Sequence, residues 1–502
     1  MTEHAVRSPA VTVKGRCAEG IMQETELKLE LSPSGATQLL KKNPLASSPT
    51  ILQQKSIYFD TPGWDLSKSG LSLRIRQSGN ERIQTVKVGD GAAAGWFTRE
   101  EWEQPVAGDA PVLDDPQIRD LLAGAGGELA PLFEVHVKRH RWNVMDGDAT
   151  IEVALDLGKV VAADREAPLC EIEFEKKAGA PTALFALARK VDQITPAHLG
   201  VLSKAERGYR LLGAAPGAVK AIPTSLTSDM SPATAFARIA AACLRQFRLN
   251  EAALGWSRDA EALHQARVAL RRLRSLCSIS KSLFDDSRFD HLREELKWLA
   301  SELGDARNID VMIDRTSSEA LLRRLQEARD GAYGAAEASL SSARARSLMI
   351  DAAEWISVRD WRTDQSDGTA DEQSSKDFAS GVFDKLWKKV AKGGNNLIDA
   401  NDETRHEVRI AAKKLRYAAE FFEPLYKGRA QRHRRFITAM SGLQDALGSL
   451  NDLATAADML SALGLSDVAG AEDLFRGEDK TKLLHQGADA HDTFVGTKRF
   501  WR

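Results

Sequence analysis

The sequence predicts an α+β protein in which a strand-rich antiparallel domain precedes an all-helical domain. Between about Gln23 and Leu212, polar and apolar residues alternate in short runs such as ETELKLEL, RIQTVKV and CEIEFEKK, which is the period of β-strands. From Ser231 onward, apolar residues recur at i, i+3, i+4 and i+7, the period of amphipathic helices. The segment AAPGAVKAIPTSLTSDMSP after Gly213 has neither period and predicts a linker.

The length of 502 residues is enough for two or more hydrophobic cores. A polar stretch within the helical half, RTDQSDGTADEQSSKD, predicts a loop between two helical bundles. The predicted organisation is a disordered extension at 1–21, a strand domain at 22–213, a linker at 214–228 and a helical domain at 229–502, which consists of repeats at 229–355 and 378–502 and a loop at 356–377.

The charge balance and the hydropathy of the chain exclude several classes of protein. The 69 Lys and Arg nearly balance the 71 Asp and Glu, which excludes a uniformly basic nucleic-acid coat and an acidic disordered chain. No stretch approaches the ~20 consecutive apolar residues that a membrane span needs. The four cysteines are far apart and indicate a reducing compartment, so we expect a cytoplasmic protein without a membrane partner.

Charged residues alternate along several predicted strands. Glu24, Glu26 and Lys28 project to one side of their strand at spacings of ~6.6 Å, and the same holds for the pair Arg74 and Arg76. These residues could form a solvated outer face, but in a closed sheet they would line a barrel interior with both signs of charge. Clustered carboxylates suit Mg²⁺ or Mn²⁺, and arginines bind phosphate bidentately, so the interior would hold a linear polyanion.

The order of these motifs resembles the CYTH domain of the triphosphate tunnel metalloenzymes. The match runs through Glu24-x-Glu26-x-Lys28, YFDTPGWDLSKSGLSLRIR, TVK ending at Lys87, EVALDLG and CEIEFEKKAG. The resemblance implies an eight-stranded antiparallel tunnel that depends on Mg²⁺ or Mn²⁺. It further implies a catalytic group of Glu24, Glu26 and Lys28, metal ligands Glu24, Glu26, Glu101, Glu152, Glu171 and Glu173, and triphosphate-binding residues Lys28, Arg74, Arg76, Lys87, Arg139 and Lys204, with Arg141 and Arg207 as further candidates.

The helical half contains an internal repeat. A histidine followed by basic residues at +3, +7, +8 and +10 occurs at His264 and again at His406, and an LG motif follows after about forty residues in each copy. At 100° per residue, the +3, +7 and +10 positions lie on the side of the histidine, and position +9 is an opposing leucine. Each helix therefore carries a basic stripe, which is either a solvated face or a binding surface for an anion.

The repeat resembles the CHAD domain, an all-helical module of two pseudo-symmetric four-helix bundles that is associated with inorganic polyphosphate. A flexible phosphate chain fits the stripes better than DNA does, because no aromatic stacking platform or recognition-helix pattern accompanies them. The predicted polyphosphate-binding residues are His264, Arg267, Arg271, Arg274, His406, Arg409, Lys413 and Arg416.

Together the resemblances imply a metal-dependent inorganic triphosphatase that hydrolyses tripolyphosphate and binds long-chain polyphosphate, with localisation in the cytoplasm or at polyphosphate granules. Two alternatives remain open. One is a polyphosphate-docking protein with weak catalysis, and the other is a nucleotide or thiamine triphosphate hydrolase or an adenylate cyclase relative. The number of metals, the general base and the oligomeric state do not follow from the sequence.

Overall fold

A computed structural model describes residues 21–45, 47–89, 94–122, 127–213, 217–284, 286–359, 373–474 and 480–502. They form two compact units, Met1–Gly217 with Met349–Val358, and Ala218–Leu348 with Arg359–Arg502. Apart from Ile21, which begins the first strand, the predicted disordered extension lies outside the described residues.

The first unit contains a closed antiparallel barrel. Eight strands pair in the order β5-β4-β3-β2-β6-β7-β8-β1, and β1 closes the ring by pairing with β5 as well. A short ninth strand adds to β1, with Leu29 opposite Leu199. The predicted eight-stranded barrel is confirmed. The strands are β1 (Ile21–Leu31), β2 (Thr50–Asp60), β3 (Leu71–Ser78), β4 (Glu81–Val88), β5 (Trp96–Pro105), β6 (Ala130–Asp146), β7 (Ala149–Ala162), β8 (Arg165–Ala178) and β9 (Ala197–Leu199).

Apolar side chains lie on the outer face of the barrel, under the helices, and charged side chains point into its interior. Strand β8 illustrates the alternation, because Ile172 and Phe174 are fully buried on the outer side while Glu171 and Glu173 project into the barrel. The outer apolar face packs under helices of the same unit, including contacts of α4 with β1 and β8. These helices are α1 (Pro33–Lys42), α2 (Asp65–Lys68), α3 (Pro116–Leu122), α4 (Thr182–Ile194) and α5 (Lys204–Leu212).

The second unit is helical in its described residues, in agreement with the predicted fold class. Its α-helices are α6 (Pro232–Ser257), α7 (Ala260–Ile279), α8 (Ser287–Glu302), α9 (Gly304–Arg315), α10 (Glu319–Leu340), the start of α11 (Ala343–Val358), α12 (Ser375–Gly393), α13 (Asp402–Phe421), α14 (Ala430–Ala462) and α15 (Lys480–Gly496). Residues Met349–Val358 of α11 belong to the first unit. Short 3₁₀ helices occupy Lys281–Leu283, Glu423–Arg429 and Glu472–Leu474.

The predicted linker and loop differ from the structure at their ends. Residues 356–358 and 375–377 of the predicted loop are helical, and residues 360–372 lie outside the described part of the chain. Within the predicted linker, the backbone of Val219 exchanges hydrogen bonds of 2.8 Å with the buried side chain of Asn250, and Leu226 is buried. Residues 218–228 thus belong to the helical unit. The sequence did not predict this, because side-chain contacts of this kind do not produce a periodic pattern.

None of the helices in the described residues combines the length and the apolar character that crossing a bilayer would require.

Candidate functional site

The interior of the barrel encloses a cavity of about 270 Å³ that is lined mainly by charged side chains. All predicted tunnel residues line it except Glu171, which is fully buried at its inner end, and Arg207. The nine cationic side chains exceed the seven carboxylates by two, which makes the lining net positive. The cations are Lys28, Arg74, Arg76, Lys87, Arg99, Arg139, Arg141, Lys177 and Lys204, and the carboxylates are Glu24, Glu26, Glu101, Glu103, Glu152, Glu173 and Glu175.

At the buried end, three carboxylates surround the ammonium group of Lys204. Its Nζ lies 2.8 Å from Asp156 Oδ2, 2.6 Å from Glu171 Oε1 and 2.7 Å from Glu173 Oε1. Burial by itself lowers the pKa of Lys204, but these carboxylates raise it well above its ordinary value. Burial likewise favours neutral Glu173, yet the nearby lysines hold its pKa well below the usual range, so both groups are charged.

Two further cations complete this inner cluster. Lys28 contacts Glu171 at 3.2 Å and Glu173 at 2.9 Å. Arg139 donates two hydrogen bonds to Asp156, of 2.7 and 2.6 Å, and a third of 2.9 Å to Glu173. The cluster is therefore a fully ion-paired network in which each carboxylate has a cationic partner.

Helix α5 positions Lys204 as its first residue. The helix begins with a capping box, in which Ser203 Oγ accepts from the Glu206 amide at 3.1 Å and Glu206 Oε2 accepts from the Ser203 amide at 2.8 Å. One turn later, Gly208 packs so closely on the Phe133 ring that a Cβ atom would approach a ring carbon to 2.1 Å. The helix end and its seat on the barrel together hold Lys204 at the cavity.

Away from the buried end, the cavity wall carries a second set of ion pairs. Lys87 lies 2.5 Å from Glu24 and 3.3 Å from Glu101, and Arg99 pairs with Glu26. The guanidinium groups of Arg74 and Arg76 are so close that Arg74, with burial, lowers the pKa of Arg76 to about 10. Two like charges held together in this way favour a bound anion.

Two sets of carboxylates have the donor chemistry of a divalent-cation site. Oxygen atoms of Asp156, Glu171 and Glu173 lie within 4.8 Å of one another. In addition, cross-strand register places Glu175 of β8 opposite both Glu152 of β7 and Glu26 of β1, a row of like charges in which Glu26 pairs with Arg99 and Glu175 with Lys177. All-oxygen donors of this kind fit Mg²⁺ or Mn²⁺.

The sequence interpretation missed some of these residues. Asp156 was not selected, although it shares the strand phase of Glu152 and would have been found by extending the alternation by four residues along EVALDLG. Glu175 shares the phase of Glu171 and Glu173 but was not assigned as a ligand. Arg99 belongs to the same alternation on β5.

In the helical unit, the first basic stripe lies along α7. His264, Arg267, Arg271 and Arg274 are half-buried, and the opposite face of the helix, with Leu263, Leu270 and Leu273, is buried in the core. Burial lowers the pKa of His264, and Arg307 and Arg271 lower it further. Burial, with Arg271 and Arg307, also lowers the pKa of Arg267 to about 10.

These shifts identify a cationic cluster to which α9 contributes Arg307. The LG motif stands at the break between α8 and α9, where a Cβ on Gly304 would lie 3.4 Å from the Arg267 guanidinium. The sequence interpretation assigned no binding role to Arg307. A contact between α7 and α9 depends on tertiary packing that helical periodicity does not reveal.

The second stripe lies along α13. His406 is exposed, and Arg409, Lys413 and Arg416 are half-buried. Arg416 pairs with Glu420 one turn further along the same helix, at 2.9 Å. Arg416 of the second stripe therefore has an acidic partner on its own helix. No ion pair of this kind is seen along α7 for the described cations of the first stripe.

The basic residue at +8 of each copy connects the two repeats. Arg272 of α7 donates to Glu420 of α13 at 2.5 Å, and Lys414 of α13 donates to Ser278 of α7 at 2.7 Å. Glu420 and Ser278 both stand fourteen residues after the histidine of their copy. The contact is thus reciprocal between equivalent positions.

Comparisons with known proteins agree with this architecture. Residues 22–209 match the family model of the CYTH domain, and residues 238–461 match that of the CHAD domain. The chain therefore carries a CYTH domain followed by a CHAD domain, as the sequence motifs indicated.

Individual relatives match different parts of the chain. An inorganic triphosphatase of Haemophilus influenzae is 33% identical over 199 residues, which cover 38% of this chain and 55% of that protein, so the match spans about half of the relative's length. An uncharacterized protein of Mycobacterium tuberculosis is 28% identical over 425 residues, which cover 74% of this chain and 76% of that protein. The crystal structure of the CHAD domain from the plant Ricinus communis matches with 29% sequence identity and a TM-score of 0.48. The match covers 57% of this chain and 98% of that chain.

Proposed function

We propose that the barrel is a metal-dependent inorganic triphosphatase that hydrolyses tripolyphosphate. The observation that carries the proposal is the cavity lined by both signs of charge, in which the lining cations also pair with the buried carboxylates of Asp156 and Glu171. These carboxylates leave too little positive charge to balance a triphosphate chain, so a divalent cation at the carboxylates would complete the neutralisation. The CYTH match and the triphosphatase relative support the same activity.

The lining also favours an inorganic substrate over a nucleotide. Tyr58 is the one aromatic residue among the described residues that line the cavity, and it is buried against Phe133 with ring centroids 4.8 Å apart. A nucleobase would need a stacking surface or hydrogen-bonding edge beyond the phosphates. The charged lining instead offers contacts to phosphate oxygens along its length.

The chain's own residues bind and orient the phosphate chain. Arg74 and Arg76 neutralise phosphate oxygens bidentately, while Lys87, Arg139 and Lys204 add further positive charge as negative charge develops on the leaving group. A water oxygen attacks the terminal phosphorus in line, the anhydride P–O bond breaks, and orthophosphate and pyrophosphate form as the water proton passes to a carboxylate or to solvent. A bound Mg²⁺ or Mn²⁺ supplies Lewis-acid polarisation of the phosphate and the water.

The test is phosphate release from tripolyphosphate, ATP and long-chain polyphosphate, each with Mg²⁺, with Mn²⁺ and with a chelator. Metal-dependent release from tripolyphosphate in strong preference to ATP is expected. Equal or faster release from ATP would favour the nucleotide alternative, and the absence of release from every substrate would favour a docking protein.

The helical unit has a second candidate function, the binding of long-chain polyphosphate. The reciprocal contacts of Arg272 and Lys414 support an antiparallel arrangement of α7 and α13 about a local twofold axis. An axis that exchanges two antiparallel helices is perpendicular to the plane of the pair, so equivalent residues face the same side. The two stripes would then form one basic surface of roughly 30 Å between His264 and His406, at 1.5 Å per residue.

A further inference from the structure

The Lys204 ammonium occupies the place where a cation would bind. Its three carboxylate contacts, at 2.6 to 2.8 Å, are with Asp156, Glu171 and Glu173, whose oxygens also form the described cluster able to hold a metal. The ammonium group donates hydrogen bonds to Glu171 and Glu173 and forms an ion pair with Asp156. Lysine and a divalent ion would therefore compete for the same oxygen atoms.

One oxygen of the cluster remains poorly satisfied by this arrangement. Glu171 is fully buried, and its Oε2 accepts no hydrogen bond; its nearest cation is Arg207 Nε at 3.4 Å. Mg²⁺ takes six oxygen ligands in octahedral geometry, from carboxylates, waters and substrate phosphate. A metal could use the oxygen that the lysine leaves without a hydrogen bond.

The two lysines of the cluster differ in their freedom to move. Lys28 lies within β1, is 1% exposed, and packs so closely against Gly200 that a Cβ there would lie 2.8 Å from Lys28 Cγ. Both lysines line the cavity, but Lys204 is 8% exposed and extends into it from the first residue of α5. The N-terminus of a helix carries partial positive charge, which repels an ammonium group. The dipole of α5 therefore does not hold the Lys204 ammonium in its present position.

We propose that Lys204 is a resident counterion that occupies the divalent-metal position in the empty tunnel and moves onto the substrate when a polyphosphate enters. The movement removes the one cation that contacts all three of Asp156, Glu171 and Glu173, and Mg²⁺ or Mn²⁺ takes its place while Lys28 and Arg139 remain. Metal alone then binds weakly, and metal and polyanion bind with positive coupling. The proposal rests on the triphosphatase function, because it needs a polyanion in the tunnel.

The experiment measures Mn²⁺ binding to the full chain without any phosphate compound, from the electron paramagnetic resonance signal of free Mn²⁺. Lys204→Met should lower the Mn²⁺ Kd by about tenfold or more, because it removes the competing charge. Lys204→Arg should bind as weakly as the wild type. Lys159→Met is the matched control and should leave the Kd unchanged, since Lys159 is an exposed lysine that pairs with Glu166 and does not line the cavity.

The gain in Lys204→Met must also disappear when Asp156→Asn is added. Equal Mn²⁺ affinity in the wild type and Lys204→Met, or a gain that persists with Asp156→Asn, would overturn the proposal. Because phosphate is absent, the result is independent of the phosphate-release assay that tests the proposed function.

A measurement on the wild type covers the case in which Lys204→Met does not fold. The buried Lys204 ammonium should give a protected signal in a ¹H–¹⁵N spectrum of the lysine side chains, assigned by its loss in Lys204→Arg. Adding tripolyphosphate with Mg²⁺ should shift this signal or remove it. A signal that remains unchanged at saturation would show that the ammonium does not move and would overturn the proposal.

Discussion

Tyr209 of α5 donates a hydrogen bond of 2.6 Å to Asp60 at the end of β2. Asp60 is fully buried, and its two oxygens also accept from three backbone amides of the turn that follows, at 2.7 to 3.0 Å. This carboxylate therefore connects the turn to the helix that begins with Lys204. Through α5, the hydrogen bond between Tyr209 and Asp60 helps to hold Lys204 at the charged cavity.

Tyr209→Phe should destabilise the barrel by about 1–3 kcal/mol, because it leaves the buried carboxylate with one partner fewer. Hydrolysis of tripolyphosphate should fall as well, because α5 holds Lys204. Urea unfolding followed by a probe in the barrel measures the first effect. Arg82→Ala, which removes a partly exposed pair with Asp109, is the control and should change stability little. Unchanged stability in Tyr209→Phe would mean that the contact does not anchor α5.

Arg74→Ala and Arg76→Ala should each lower kcat/KM for tripolyphosphate by about ten- to a hundredfold, since a guanidinium that contacts the bound chain stabilises both substrate and transition state. Steady-state phosphate release measures the effect, and Arg165→Ala, an exposed residue of β8, is a suitable control. Wild-type kinetics in either variant would remove that arginine from the binding surface.

Polyphosphate binding by the helical unit should depend on pH through His264. Burial, with Arg307 of α9 and Arg271, lowers its pKa in the free protein, while Glu261 acts in the opposite direction. A bound polyanion offsets the arginine charges and raises that pKa, so binding takes up a proton. Affinity should therefore increase as the pH falls from about 7 to about 5, more strongly than in His264→Gln. Identical pH profiles for the two proteins would contradict the assignment.

The two stripes should differ in their contribution to polyphosphate affinity. Arg267→Ala with Arg271→Ala should weaken binding more than Arg409→Ala with Lys413→Ala, because Arg307 adds to the first cluster, whereas the equivalent residue of the second copy is Asn451. Titration of the full chain with long-chain polyphosphate at several salt concentrations measures both pairs. Arg434→Ala with Arg435→Ala, two exposed arginines on α14, should have a smaller effect than either. A larger effect of this control pair would place the ligand elsewhere.

Sequence periodicity predicted the antiparallel strands, and the resemblance to the CYTH domain predicted the eight-stranded barrel and most of the residues that line it. The period of two placed the charged residues of each strand on one side but left open whether that side faced the interior. The same reasoning could not show that Lys204 lies among three carboxylates, because its position depends on the packing of α5 on Phe133 and Asp60. Likewise, Arg307 reaches the α7 stripe only through tertiary contact, and the role of Arg272 and Lys414 between the repeats follows from helix packing.

The central claim is that carboxylates inside the barrel support metal-dependent hydrolysis. The most direct measurement is phosphate release from tripolyphosphate by Glu24→Gln with Glu26→Gln, compared with Glu166→Gln on an exposed pair with Lys159. If Glu24 and Glu26 bind the metal as proposed, the double variant should lose its Mg²⁺- and Mn²⁺-dependent activity, because the remaining carboxylates cannot replace both, while its helical unit should still bind polyphosphate. Near wild-type hydrolysis by the double variant would contradict the account.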